Sequence, residues 1–143
     1  MLLKLALKGR FIMTKKHELY KCDICGNMIE IIFSGMGELV CCGKPMELII
    51  EKTDDGDFSE KHIPIFHKCE NGDTLIRVGS VEHPMNENHY IQFIEVFAGN
   101  GLLRKYLSPA EKPEFLIKLK NNLKHAREYC NLHGLWKGEN DAN

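Results

Sequence analysis

Cys22-Asp23-Ile24-Cys25-Gly26 sets two thiols three positions apart around a tight turn, a spacing with which one loop can grip one metal ion. Gly26 can take the positive φ that such turns often need, which frees backbone N–H groups to point at sulfur. Fifteen residues later come Cys41-Cys42-Gly43, completing four soft ligands of the kind that select zinc or iron. A structural zinc ribbon normally uses a second spaced pair. Adjacent cysteines cannot both approach a regular tetrahedron without distortion, and that departure favours iron. Four thiols in so small and core-poor a segment are a poor match for buried core cysteines with chance spacing.

A second set of donors lies downstream: His62, His67, His83, His89, His125 and His133, with Cys69 and Cys130. Each alone is weak, because a lone histidine is usually a surface or hydrogen-bonded core residue and Cys130-Asn131-Leu132-His133 is a spacing that arises often by chance. Together they say more. His83-Pro84-Met85 and His89 bracket a short polar loop, His62 is expected at the start of a strand, and Cys130 and His133 lie on a turn ending at Gly134.

Composition narrows the classes. The 143 residues allow one domain or two small ones, and 43% hydrophobic with 27% charged residues is ordinary for a globular protein. A formal net charge of -1 gives no electrostatic reason to expect nucleic acid or an anionic membrane as partner, so function is sought in local sites. The opening Met1-Leu2-Leu3-Lys4-Leu5-Ala6-Leu7 has too short an apolar run for a secretory signal. Lys8 and Arg10 follow at once, with no small-residue cleavage site. Residues 1–12 read as an upstream extension, or less readily as a membrane-seeking tail, and residues 1–13 carry no domain. No stretch approaches the roughly 20 apolar residues of a membrane span. The expected location is cytoplasmic, where six cysteines argue for metal or thiol chemistry over a disulfide framework.

These residues need elements to place them. Glu18 to Ile50 holds the β-type runs Met28–Phe33 and Met46–Ile50, bounded by glycine turns at Gly35-Met36-Gly37 and Gly43-Lys44-Pro45. A segment this short rarely buries enough apolar surface to fold alone, so a metal or a partner is expected to stabilise it. Residues 14–52 are taken as the front domain, 53–58 as a linker (Thr53-Asp54-Asp55-Gly56-Asp57 is polar throughout) and 59–143 as the second domain. In the second, Thr74–Val81, His89–Phe97 and Leu102–Tyr106 read as strands, with Gly99-Asn100-Gly101 as a turn, and several such strands suggest a β-sandwich. One segment is ambiguous. Phe115, Ile117 and Leu119 alternate like a strand, with Asn121-Asn122 as a turn, yet Leu116, Leu119, Leu123 and Ala126 also fit one helical face. There is no internal repeat and no low-complexity tract.

The Cys-x-x-Cys, fifteen residues, Cys-Cys arrangement resembles desulforedoxin and the front domain of desulfoferrodoxin. Glu60-Lys61-His62-Ile63-Pro64, Gly79-Ser80-Val81-Glu82-His83-Pro84-Met85, His89-Tyr90-Ile91 and Arg127-Glu128-Tyr129-Cys130-Asn131-Leu132-His133-Gly134 resemble the superoxide reductase domain of the same family. The resemblance runs from about Glu18 to Asn140.

It implies an all-β protein, with a small desulforedoxin-like domain ahead of an immunoglobulin-like sandwich, and strands for the ambiguous 115–129 segment. It implies two iron ions per chain and no organic cofactor. One iron is held by Cys22, Cys25, Cys41 and Cys42, the other by four equatorial imidazoles (His62, His83, His89, His133) with the Cys130 thiolate axial. The implied reaction is one-electron reduction of superoxide to hydrogen peroxide, with electrons from a rubredoxin-like donor and the four-cysteine iron as a candidate relay. Lys61 is expected to attract the superoxide anion and organise water for proton delivery, and Glu60 to occupy the open position in the ferric resting state. The family also suggests a homodimer. His67, His125 and Cys69 match no ligand position and read as surface or core residues, with an adventitious site at His67 and Cys69 as the minor alternative. The competing functional readings are a non-catalytic metal-binding module and a one-electron carrier.

Overall fold

Strand-forming runs pair as antiparallel ladders in the computed structural model, which describes residues 13–53, 56–118 and 122–141. The extension over residues 1–12 lies outside the described residues, as do Asp54 and Asp55 of the linker, Leu119 of the strand-or-helix pattern and Asn121 of the expected turn. The chain separates between Ile49 and Ile50 into two compact units.

In the first unit, β1 (Leu19–Lys21) is the centre of a three-stranded sheet, flanked by β2 (Met28–Glu30) and β5 (Glu47–Leu48). β3 (Val40–Cys41) and β4 (Lys44–Pro45) form a separate hairpin. The strands are shorter than the apolar runs that announced them, because the buried interior is small. Among the described residues its buried apolar members are Leu19, Tyr20, Cys22 and Ile31, whereas Ile32, Phe33 and Met36 are exposed. Met13 makes an isolated bridge with Met36.

The second unit packs two sheets. One has the order β10-β7-β6, from β6 (Pro64–Lys68), β7 (Thr74–Val78) and β10 (Glu114–Ile117). The other has the order β12-β11-β8-β9, from β8 (Ile91–Ala98), β9 (Gly101–Tyr106), β11 (Leu123–Cys130) and β12 (Gly134–Glu139). Sheets of three and four strands are the arrangement of an immunoglobulin-like sandwich. Between the sheets lie Ile76, Val78, Ile91, Ile94, Val96, Leu107, Ile117, Leu123, Ala126 and Cys130. At Gly138 the carbonyl of Pro64 comes so close that no Cβ would fit, which lets β12 approach β6. The ambiguous segment resolves into strands: β10 pairs with β7, and β11 sits between β8 and β12.

One local expectation is corrected. His62 does not start a strand; it ends a single helical turn, α1 (Ser59–His62). Phe58, at φ 77, turns the chain into it, and Ile63 returns to extended geometry because it precedes Pro64. The result is a turn that aims His62 back over the end of the sandwich.

That end is where the chemistry collects. The start of β6, the end of β7, the start of β8 and the β11–β12 turn all lie at the same end, as their antiparallel registers require. Four separate segments can therefore each contribute a donor to one point.

Candidate metal centres

The front site is built on two turns. At the first, Gly26 has φ 80 and its N–H bonds the Cys22 carbonyl at 3.0 Å. The Cys25 N–H points at Cys22 Sγ (3.5 Å) and the Asn27 N–H at Cys25 Sγ (3.4 Å), the N–H-to-sulfur pattern expected of a metal knuckle. The second turn removes the geometric objection to adjacent cysteines. Cys42 (φ 53) and Gly43 (φ 72) are the two left-handed central residues of the β3–β4 hairpin, a primed turn. Holding a cysteine there costs about 1–2 kcal/mol, and it lets Cys41 and Cys42 point at one centre. Cys25 Sγ and Cys41 Sγ are 3.5 Å apart, Cys41 Sγ and Cys42 Sγ 3.9 Å. All four sulfurs lie within 4.8 Å of one another.

Without a cation, the thiols compete for protons. The Cys25 and Ile24 backbone N–H groups pull Cys22 down to about 7. Hydrogen bonding with the Cys25 and Cys41 thiols pushes Cys42 up to about 12. A divalent cation would remove that competition by binding all four as thiolates.

The second site gathers His62 from α1, His83 and His89 from the β7–β8 loop, Cys130 from the end of β11 and His133 from the β11–β12 turn. The imidazoles close a four-membered circuit, each ring nearly edge-on to the next. Centroid separations are 4.5 Å for His62–His83, 4.7 Å for His83–His89, 4.9 Å for His89–His133 and 5.0 Å for His133–His62, with interplanar angles of 71–82°. Cys130 Sγ lies 3.7 Å from His133 Nδ1. One donor atom from each of the five lies within 4.8 Å of all the others.

Several contacts hold the circuit open. His83 Nδ1 engages the Pro84 carbonyl at 2.6 Å, leaving Nε2 for the centre. Asn131 accepts the Tyr90 N–H and donates to the Asn88 carbonyl, both at 2.9 Å, tying the His89 loop to the Cys130–His133 turn. Phe58 stacks on His133 at 4.8 Å, and Trp136 lies against His62 at 4.9 Å. Gly79, at φ 78, lets the β7 end close onto the backbone of Lys61, and the Glu60 carbonyl accepts the Ser80 and Val81 N–H groups.

Electrostatics prepare the imidazoles for a cation. Burial, reinforced by neighbouring imidazoles, pushes His62 down to about 3. Burial also lowers His83, to about 4, against the opposing hydrogen bond to Pro84. Both are therefore neutral, ligating imidazoles at neutral pH. Burial raises the Cys130 thiol, partly offset by the His133 and Leu132 N–H groups. His62, His83 and Cys130 are buried, while His89 and His133 are half-buried, so access lies on their side.

The donor set passes a physical test for a metal. His62 Nδ1 and Nε2, His83 Nε2 and His89 Nε2 are buried with no hydrogen-bond partner among the described residues. Orphaned imidazole nitrogens in mutual contact are costly without a shared cation. Four nitrogens with one sulfur exceed the three protein ligands of catalytic zinc and suit iron.

Every sequence-predicted ligand falls into one of the two clusters. Lys61 and Glu60 flank His62 on α1: Lys61 is half-buried, its charge felt by His83 and His89, and the Glu60 side chain is exposed. His67, Cys69 and His125 join neither cluster. His67 is exposed on β6, Cys69 opens the β6–β7 turn, and His125 stacks on Phe97 at 4.3 Å. Sequence reasoning passed over Asn131, Trp136, Lys52 and Glu128. Glu128 is fully buried without a partner among the described residues, and burial holds its carboxyl well above the usual range. The sequence gives no signal that separates Glu128 from its charged neighbours Lys124 and Arg127 in the run before Cys130.

An immunoglobulin-like sandwich carrying a four-nitrogen, one-sulfur site, preceded by a four-sulfur knuckle, defines a two-centre non-haem metalloprotein. The family profiles agree: Desulfoferrodoxin matches residues 54–139, and Desulfoferrodoxin, N-terminal domain, matches residues 14–49. The chain belongs to the desulfoferrodoxin family. It is 50% identical to the desulfoferrodoxin of Syntrophotalea carbinolica over 127 residues, 89% of this chain and 99% of that protein. The desulfoferrodoxin of Nitratidesulfovibrio vulgaris is 48% identical over the same shares. Among solved structures, the superoxide reductase from Treponema pallidum superposes with a TM-score of 0.65 at 26% identity, covering 85% of this chain and 96% of that one. The two donor sets fit the two iron centres of the family.

Proposed function

We propose that this chain is a superoxide reductase, converting superoxide, one electron and two protons into hydrogen peroxide at the centre formed by His62, His83, His89, His133 and Cys130. The observation that carries this reading is the closed circuit of imidazoles, buried or half-buried, with a thiol beside it and a half-open side. Iron held by these five residues would supply the electron, and the Cys130 thiolate would make it electron-rich. The protein does the rest. His62 and His83, held neutral by burial, offer nitrogen without a proton to displace, and Phe58 and Trp136 fix the planes of His133 and His62.

Lys61 is the positioning charge for the substrate. The whole protein, at -1, does not attract an anion, so the Lys61 ammonium beside His83 and His89 must do so locally. Holding protons at Nζ, it also orders the water that delivers them. Glu60, exposed on the same turn, would cover the open side when the bound iron is oxidised. Cys22, Cys25, Cys41 and Cys42 would hold the second iron in the front unit, ahead of the reductase unit that begins at Ile50.

A reductase needs an external electron, and a rubredoxin-like protein is the donor in this reading. Its setting is the cytoplasm, in keeping with six cysteines all present as free thiols. The exposed Phe33 and Met36 of the small front unit support a homodimer. Among the described residues no helix is long and apolar enough to cross a membrane.

Anaerobically purified protein, assayed together for iron, visible spectrum and superoxide consumption, tests the reading. The expected outcome is about two irons per chain, strong iron–thiolate absorption and stoichiometric peroxide. Colourless protein with zinc at both sites refutes it, and iron with no superoxide consumption leaves only an electron carrier.

A further inference from the structure

Lys52 is exposed and precedes the second unit's first strand, yet it is tied to the turn that carries His133. Its backbone is clamped along β12: the Lys52 N–H donates to the Leu135 carbonyl at 2.9 Å, and the Lys137 N–H donates to the Lys52 carbonyl at 2.8 Å. Lys52 thereby forms a parallel bridge with Trp136. From this fixed base the side chain crosses the Trp136 ring, with Nζ 5.2 Å from its centroid. It ends in a hydrogen bond to the His133 carbonyl at 2.8 Å. The Trp136 indole N–H donates to the same carbonyl at 3.0 Å. Gly134, in a left-handed conformation at φ 83, completes the niche, since the nearest atom to a Cβ there would be Lys52 Nζ at 3.7 Å.

A surface lysine is ordinarily a mobile, solvated charge. This one is anchored at both ends against the turn that carries two of the five donors. We propose that Lys52 is a positioning residue whose fixed positive charge raises the reduction potential of the five-donor centre, holding it in the ferrous state that reacts with superoxide. The inference rests on the reading of that centre as a redox iron site.

The physical reason is the charge difference between the two oxidation states. A nearby cation disfavours the more positive ferric state, and outer-shell groups are a recognised lever on a metal's potential. The two lysines around the site divide this labour. The charge of Lys61 is felt by His83 and His89, while that of Lys52 is felt by His62, Cys130 and the buried Glu128. Lys61 is placed to meet the substrate, whereas Lys52 acts on the donors themselves.

The test compares full-length, iron-loaded wild type with Lys52→Gln and Lys52→Arg by redox titration, following the nitrogen-rich centre through its own absorption band. Lys52→Gln retains an N–H donor for the His133 carbonyl and drops the charge, whereas Lys52→Arg retains both. The expected result for Lys52→Gln is a shift of the ferrous/ferric ratio towards ferric by about tenfold at fixed ambient potential, a fall of about 59 mV for a one-electron couple. Lys52→Arg should stay at the wild-type value. An unchanged potential in Lys52→Gln overturns the proposal. So does an equal shift in both variants, which would trace the effect to packing, and so does loss of iron from Lys52→Gln, which would make the lysine a structural brace. Failure of the functional reading itself shows separately, as a wild-type protein with no reversible nitrogen-rich centre.

Discussion

Adding one methyl group at Gly79 should damage the second centre while leaving the first intact. A Cβ built there lies 2.7 Å from the Lys61 carbonyl carbon, the Lys61 oxygen and the Val81 oxygen. Those are backbone atoms, so no side chain can swing aside. Ordinary contact needs about 3.5 Å or more between carbons, so Gly79→Ala must push α1 outward by several tenths of an ångström. α1 carries His62 and Lys61, and the Glu60 carbonyl receives the Ser80 and Val81 N–H groups across the same seam. The left-handed φ of 78 adds about 1–2 kcal/mol, and forced overpacking typically another 1–3 kcal/mol. A loss of about 2–5 kcal/mol should lower the Tm of the second unit by roughly 10 °C or more. The displaced His62 should also weaken iron retention there. Chelator competition followed at each centre's own absorption band, together with thermal unfolding, measures both. Gly101→Ala is the control, since nothing lies within 4 Å of its Cβ position and its φ is not in the left-handed range. Wild-type Tm and iron retention in Gly79→Ala would refute the claim that this glycine sets the position of His62.

Lys61→Ala should slow the bimolecular reaction with superoxide by roughly tenfold and flatten its salt dependence, with iron content unchanged; pulse radiolysis of the reduced protein across a salt series reads all of this. Cys130→Ser should abolish superoxide reduction even where the domain folds. Cys41→Ser should disturb the front centre and spare single-turnover reduction by pre-reduced protein, so equal loss in both variants contradicts two separate sites. Metal-free protein should lose stability on acidification. His62 and His83 fall to about 3 and about 4 in the folded state, against about 6.5 unfolded, so the unfolded state binds the extra protons. The loss should begin as pH drops below about 6.5 and level off below about 3, as denaturant titrations of the metal-free protein across that range would show.

Legibility in the sequence followed locality. The cysteine quartet could be read from spacing alone because two turns supply all four thiols. Even so, the left-handed Cys42 that lets neighbouring cysteines share a centre is a tertiary outcome of the β3–β4 hairpin. The imidazole circuit was legible only through the joint resemblance of four motifs, since no periodicity links His62 to His133. α1 escaped because four residues are too few to show a helical period, and the determinant is Phe58 at positive φ. Phe115 and Ile117 alternated like a strand while Leu116, Leu123 and Ala126 fitted one helical face, and the choice was made by partners distant in sequence, β7 for β10 and β8 for β11. Asn131 and Lys52 could not be singled out, because each matters through a backbone group it meets across the fold, and Trp136 because its ring meets His62, distant in sequence.

The distribution of donors along the chain has a consequence for how the protein is made. All four sulfurs of the front site lie between Cys22 and Cys42, whereas the rear site draws on segments from His62 to His133. During synthesis, amino-terminal units generally fold first. The front thiols can thus capture a metal while the rest of the chain is still being translated. The rear site does not exist until the β11–β12 turn has closed against three earlier segments. Each centre therefore samples the cell's metal pool at a different moment. Misloading by a competing soft metal is a hazard of the nascent chain at the front, and of the finished fold at the rear.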